Sequence, residues 1–216
     1  MPRMLAAVSL VLSLTSLTPA AHAEQHYARP PGAGAPAEIM PKPDALVSRD
    51  MVRRALAARR ARSLDAFEAY QSAGAFPRNS YTSRPLNVWR DEGGHFCAAA
   101  TIIKMSGQDE LVDRVAEQSN FIRLADVKQG PLMDWILTSG LTQDEIALIQ
   151  EPFEPVPEPQ SKLAQAETAR LVSKYRTIEA TIRKQERAGL EAATTRLLKN
   201  QALAWKLVHD ELLDVD

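Results

Sequence analysis

The single cysteine of the chain stands where thiol chemistry would be easiest to support. Cys97 follows two glycines and His95, and it lies in the apolar run Phe96–Ile103, which we predict to be a covered helix. Backbone N–H groups and the dipole at the start of a helix lower the pKa of a thiol and can bind an oxyanion. The pattern suggests a cysteine hydrolase or another thiol-dependent enzyme, with Cys97 as nucleophile and His95 and Asp91 assisting it.

The histidines of the sequence argue against this enzyme. A cysteine nucleophile needs an imidazole within hydrogen-bond reach and a third group that orients the imidazole. After the first 23 residues the chain offers only His26, His95 and His209. His95 lies two residues before Cys97, so the two side chains fall on different sides of the first helical turn. We favour the alternative in which Cys97 is a small buried residue and the chain has no catalytic residues.

Metal chemistry has weak support in the same stretch. Asp91, Glu92 and His95 lie close together in the sequence and could meet a divalent cation. Their spacing matches no established metal site, and ligands on a turn usually face water. We expect no metal and no other cofactor.

The composition favours one helical domain with appendages. The chain has 216 residues, 45% of them hydrophobic and 25% charged, and only 9 glycines, so a sheet-rich fold with many tight turns is disfavoured. Its 26 basic and 27 acidic side chains nearly cancel. A near-neutral chain has no global attraction for nucleic acid or for an anionic membrane.

The N-terminus predicts export. Arg3, the apolar stretch Met4–Leu17 and the small residues Ala21 and Ala23 form the three parts of a secretory signal peptide over residues 1–23. An uncleaved anchor is the alternative, but the apolar stretch is short for a membrane span. We therefore expect a periplasmic or extracellular protein without an integral membrane span after cleavage, and a lone cysteine cannot form an internal disulfide there.

Proline-rich segments divide the remaining chain. Residues 24–43 are rich in proline, alanine and glycine and predict a disordered tether. Residues 151–160 contain four further prolines and predict an extended spacer. Between them we expect a helical core domain at 44–150, and after the spacer a C-terminal helical arm at 161–216.

The predicted core is a compact bundle of short helices, so the fold class is mainly α. A helix at 44–73 should end at Gly74, and the helix that follows His95 should end at Ser106-Gly107. Later helices are expected at 108–118, after Pro131 and after the capping box Thr142–Glu145. At most a small two-stranded element is expected, around Val88 and Ile122.

The first helix carries many arginines on one face. An anion-binding surface is one interpretation, but no aromatic residues are interleaved with the basic ones. We favour a solvated face that Asp50, Asp65 and Glu68 partly balance. The arginines are Arg49, Arg53, Arg54, Arg59, Arg60 and Arg62.

The arm has an apolar stripe at helical spacing. Leu171, Tyr175, Ile178 and Ile182 form its first part, the stripe lapses across residues 183–187, and Leu198 to Leu212 continue it. Gly189 marks either the turn of a helical hairpin or the weak centre of one long helix. The stripe must be covered by the core, by itself or by another copy in a coiled coil.

Segment 76–150 resembles an uncharacterised family of exported bacterial proteins. Its pattern runs D-x-x-G-x-x-C-A, an apolar helix ending in Ser-Gly, an Asn-Phe pair, a Trp-containing helix, Gly-Leu-Thr and Ile-Gln. The matching residues are Asp91, Gly94, Cys97, Ala98, Ser106, Gly107, Asn120, Phe121, Trp135, Gly140, Leu141, Thr142, Ile149 and Gln150. The resemblance implies that the segment is a unit and brings no known activity.

These observations favour a non-enzymatic exported module for interaction or assembly. The expected partner is a protein, or a second copy bound through the C-terminal arm, and not nucleic acid. The cysteine hydrolase that uses Cys97, His95 and Asp91 is the alternative.

Overall fold

A computed structural model describes residues 47–213, and these residues are mainly α-helical, as predicted. They form eight helices, one 3₁₀ turn at Leu124–Asp126 and no strand. The predicted signal peptide and tether lie outside the described residues. None of the described helices combines the length and the apolar character that crossing a membrane requires. The helices are α1 Arg49–Ala73, α2 Ala98–Met105, α3 Asp109–Ser119, α4 Pro131–Thr138, α5 Gln143–Ile149, α6 Lys162–Lys184, α7 Glu186–Leu197 and α8 Gln201–Leu213.

Helix α1 is the element on which most others pack. Its N-cap is Ser48, whose hydroxyl accepts a hydrogen bond from the Met51 N–H at 3.2 Å. The helix ends at Gly74 in the left-handed conformation, with φ at 63°, as predicted. With 25 residues it is about 37 Å long, and α2, α6, α7 and α8 all contact it.

The apolar side chains form two clusters along α1. The first surrounds its C-terminal half with residues of α2 to α6 and of the non-helical segments, and it includes the fully buried Trp89, from the segment before α2, and Tyr175 of α6. The second joins its N-terminal half to α7 and α8. Most of the stripe of the predicted arm is thus covered within the chain, but Leu212 at its end is 60% exposed. The boundary predicted between a core at 44–150 and an arm at 161–216 is not a boundary in the packing.

The arm is a succession of three helices. Helix α6 contains the first part of the stripe and ends at Lys184, inside the segment where the stripe was predicted to lapse, so the single long helix considered for residues 161–213 does not form. The arm breaks a second time at Lys199-Asn200, between α7 and α8, and this break was not predicted. There the Asn200 side chain accepts a hydrogen bond from the Leu203 N–H at 3.2 Å. Gly189, expected at a turn or weak centre, lies inside α7 and is buried.

A buried ion pair explains why position 189 is glycine. The guanidinium of Arg60 donates two hydrogen bonds to the Glu145 carboxylate, at 2.7 and 3.0 Å, and one each to the carbonyls of Gly140 and Ile182, at 3.1 Å. The two side chains are 1% and 8% exposed. A Cβ at Gly189 would lie 2.6 Å from Glu145 Oε1. The pair joins α1, α5, α6 and the turn before α5.

The non-helical segments run beside one another without forming a sheet. Leu86 and Phe153 exchange two backbone hydrogen bonds, at 3.1 and 2.9 Å, in an isolated antiparallel bridge. The two-stranded element considered around Val88 and Ile122 does not form among the described residues. Instead, the Trp89 N–H donates to the Asn120 carbonyl at 2.8 Å, and the chain after Arg123 turns into the 3₁₀ helix.

Candidate functional site

Cys97 is a buried helix cap. It is the N-cap of α2, and its Sγ accepts the Ala100 N–H at 3.5 Å. The residue is 1% exposed and belongs to the same apolar cluster as Trp89 and Ile103. Burial raises the pKa of the Cys97 thiol to about 12, although the backbone N–H groups of the helix start act in the opposite direction. The helix N-terminus that suggested a reactive thiol is present, but desolvation outweighs it.

Asp91 and His95 lie together but are not joined to the thiol. The Asp91 carboxylate accepts the backbone N–H groups of Arg78 and His95, at 3.0 and 2.8 Å, and its Oδ1 lies 3.2 Å from His95 Nδ1. The Asp91 side chain is 2% exposed and that of His95 is 49% exposed. Neither forms a hydrogen bond with Cys97 Sγ. The carboxylate therefore ties the chain at Arg78 to the turn before α2.

His209, the other histidine among the described residues, contacts Trp205 and not Cys97. His209 stacks on Trp205 in α8, with ring centroids 3.7 Å apart, and His26 lies outside the described residues. Within residues 47–213 no three His, Cys, Asp or Glu side chains are placed to hold a metal ion. The proposed set Asp91, Glu92 and His95 therefore forms no such group.

Five of the six arginines of α1 named above, all but Arg54, form ion pairs with glutamates of later helices, which corrects the balance predicted from the acidic residues of α1 itself. Glu191 of α7 binds Arg49 and Arg53, at 2.7 and 2.8 Å, and these guanidiniums lower the pKa of Glu191. Glu211 of α8 binds Arg59 and Arg62. Long-range partners explain the arginine-rich face, so it is not a free anion-binding surface.

A wide surface groove with an exposed aromatic ring in its lining is a candidate binding site. It has a volume of about 440 Å³ and lies between the extended segment 85–87 and the loop 121–125, with α5 and Pro152 closing its sides. Apolar and polar groups share the lining, which is Pro85, Leu86, Asn87, Phe121, Arg123, Ala125, Ala147, Gln150 and Pro152. We call it the 85/121 groove.

One exposed aromatic ring in the lining of this groove pairs with a second exposed ring beside it. Phe121 is 45% exposed and Tyr81 is 37% exposed. Their centroids are 5.0 Å apart with the planes at 70°, an edge-to-face pair. Large aromatic rings that remain accessible beside a groove are typical anchors for a partner.

Amide side chains fix the loops that carry the two rings. Asn79, 1% exposed, accepts the N–H groups of Tyr81 and Thr82 at 3.2 Å and donates to the carbonyls of Arg84 and Phe153 at 2.8 and 3.1 Å. This bonding orders the backbone on the Tyr81 side before any ligand arrives.

The Phe121 loop is held in the same manner. Asn120 bonds both the N–H and the carbonyl of Arg90, each at 2.9 Å. Gln150 accepts the Leu124 N–H and donates to the Ile122 carbonyl, both at 2.8 Å. Phe121 is therefore displayed from a loop with little remaining freedom.

Sequence reasoning missed the groove. It placed Phe121 in a possible strand and gave Tyr81 no role. The Asn120-Phe121 pair was noticed only as part of the family pattern, although an aromatic residue directly after a hydrogen-bonding asparagine in a short connection was an available signal.

Comparison of the chain with protein-family models, with curated proteins and with solved structures found no match. The resemblance of segment 76–150 to an exported family stays a prediction.

Proposed function

We propose that the protein is an exported, non-enzymatic helical module that binds a protein partner. The observation that carries the proposal is the environment of Cys97: the only thiol is buried, and the nearest candidate imidazole bonds Asp91 instead of the thiol. With its pKa near 12, about one thiol in 10⁵ is ionised at pH 7. Both properties argue against a cysteine nucleophile.

The binding surface is assigned to the 85/121 groove, not to the apolar stripe of the arm. Tyr175 and Ile182 of that stripe already pack against α1. Self-association through residues 161–216 stays a prediction, and it would have to use the outer face, where Leu163 and Leu212 are each 60% exposed.

Alkylation of the Cys97 thiol tests the proposal that the protein is not a cysteine enzyme. Native protein is treated with iodoacetamide at pH 6 and at pH 8, and adducts are counted by mass spectrometry. We expect Cys97 to react only when guanidinium chloride unfolds the chain, because the residue is 1% exposed in the folded state. Rapid labelling of the native protein at pH 6 would instead support the hydrolase.

Site-specific cross-linking tests the proposal that the protein binds a protein partner. The full-length chain is made in its native host with a photoreactive phenylalanine analogue at one exposed position: Phe121, Met105 or Leu163. We expect irradiation to join the protein to one discrete partner from position 121, with positions 105 and 163 as controls. The absence of a discrete adduct at all three positions would contradict an interaction module. Sequencing of the mature N-terminus, expected at Glu24, tests export in the same cells.

A further inference from the structure

We propose that the 85/121 groove binds an extended peptide segment of the partner, with an apolar residue beside an acidic one, and that this segment pairs with the backbone of Asn87. The inference rests on the proposed function, because it names the site and the partner chemistry of the interaction module.

Open backbone groups point to an extended ligand. Leu86 uses both its N–H and its carbonyl on Phe153. Since successive residues of an extended chain direct these groups to opposite sides, those of Asn87 face away from Phe153. Among the described residues, the N–H and carbonyl of Asn87 and the carbonyl of Phe121 have no hydrogen-bond partner. Added strands recognise such edges through main-chain hydrogen bonds.

The lining of the groove selects an apolar side chain. Pro85, Leu86 and Pro152 give the lining apolar surface, and Phe121 adds an exposed ring that contacts Tyr81 edge to face. A residue of the bound segment could insert against Phe121 while its neighbour faces water, because side chains alternate along an extended chain. The ordered loops lower the entropy lost on binding.

The charges at the groove favour an acidic neighbour. Arg84, on the exposed turn before Pro85, forms no ion pair with a described residue, and Arg123 lies 3.7 Å from Asp126, with both side chains more than 60% exposed. The nearby carboxylate of Glu151 is already bound to Arg170 at 2.7 Å. An incoming carboxylate would therefore meet the guanidinium of Arg84, next to the lining residue Pro85, and would compete with the exposed Asp126 for Arg123 of the lining.

Peptide display tests the inference on the full mature chain. A randomised peptide library on phage is selected against the wild-type protein, and the enriched peptides are measured by fluorescence anisotropy. We expect sequences that place Asp or Glu beside an aromatic or branched residue. We expect Phe121→Ala and Arg84→Glu each to weaken binding at least about tenfold, the loss of roughly one good contact.

Matched controls separate the groove from general surface effects. Leu163→Ala removes an apolar side chain of α6 that is even more exposed than Phe121, and Arg54→Glu reverses an exposed arginine of α1. Both should leave the Kd unchanged. Nuclear magnetic resonance should show the amide of Asn87 shifting and gaining protection from exchange when the peptide binds.

Several outcomes would overturn the inference. They are the absence of enriched peptides, equal binding by Phe121→Ala, or peptides that map to another surface, such as the pocket whose lining includes Trp135 of α4 and Leu207 of α8. Preferential binding of a peptide of residues 24–43, tested in parallel, would also contradict it, because the occupant would then be the chain itself. The proposed function is tested separately, by the photo-cross-linking experiment. If cross-linking still yields a discrete partner, the proposed function is retained although the peptide site is wrong. Only the absence of an adduct at positions 121, 105 and 163 would contradict the proposed function.

Discussion

Breaking the Arg60–Glu145 pair should destabilise the fold more than any other single change of charge among the described residues. Glu145→Gln keeps a residue that suits the capping box of α5, but it leaves the guanidinium of Arg60 buried without a counter-charge. Removal of one partner from a buried pair costs about 3–5 kcal/mol. For a chain of this size that loss lowers Tm by about 6–20 °C.

The geometry explains the size of this effect. Arg60 makes four hydrogen bonds through its two terminal nitrogens, two to the carboxylate and two to backbone carbonyls. After Glu145→Gln the carbonyl bonds of Gly140 and Ile182 remain, but they do not neutralise a charge in a site that is 1% exposed. Arg60→Met has a related cost, because it strands the carboxylate, which keeps only the Thr142 N–H at 2.7 Å.

The assay is urea unfolding followed by tryptophan fluorescence, for which Trp89 is a buried reporter. A double-mutant cycle with Arg60→Met and Glu145→Gln should show coupling: the double variant should lose less than the sum of the two singles, because the second change no longer strands a charge. Arg53→Met is the matched control, since its partner Glu191 is 42% exposed, and should cost less than about 1 kcal/mol. This account would be refuted if either single variant lost less than about 1 kcal/mol of unfolding free energy. It would also be refuted if the loss in the double variant equalled the sum of the two single losses within about 0.5 kcal/mol.

Two further predictions concern the packing around these groups. Gly189→Ala should lower stability in urea unfolding although alanine favours helix by about 1 kcal/mol, because its Cβ would lie 2.6 Å from Glu145 Oε1; increased stability would show that the ion pair moves freely. The pKa of Cys97 rises from 9.0 to about 12 on folding, so the unfolded chain loses its proton first and stability falls as pH rises above 9. Between pH 8 and 9.5 the unfolding free energy of the wild type should fall by about 1 kcal/mol more than that of Cys97→Ala. Equal dependence of the two unfolding free energies on pH would contradict a buried thiol.

Local signals predicted the helix ends well. Gly74 and Gly107 adopt positive φ at the predicted stops, Pro131 is the first residue of α4, and Thr142 and Glu145 form the predicted capping box. These features depend on a few neighbouring residues whose backbone preferences act independently of the fold. They were therefore available from the sequence.

The burial of Arg60 needed tertiary information, although one signal was present. Val52, Leu56, Arg60, Ser63 and Phe67 are buried and follow one another by four, four, three and four residues on α1. Arg60 thus lies on the buried face of α1, at a position where the spacing predicts an apolar residue. The prediction that it belongs to a solvated face with the other arginines was wrong for this residue. Its partner lies 85 positions away, and no local pattern identifies a contact at that separation. Gly189 was misplaced for the same reason, since its role is close packing on that partner and not a helix stop.

The candidate groove depends on side chains that replace a missing sheet. Asn120 bonds the N–H and carbonyl of Arg90 in the way that a neighbouring strand would. Asn79 and Gln150 similarly bond backbone groups of more than one residue. An amide side chain has both a donor and an acceptor, so it can bond the N–H and the carbonyl that an extended segment directs to one of its sides. The other side stays open, and this leaves the Asn87 backbone and the Phe121 ring accessible in a protein whose described residues contain no strand.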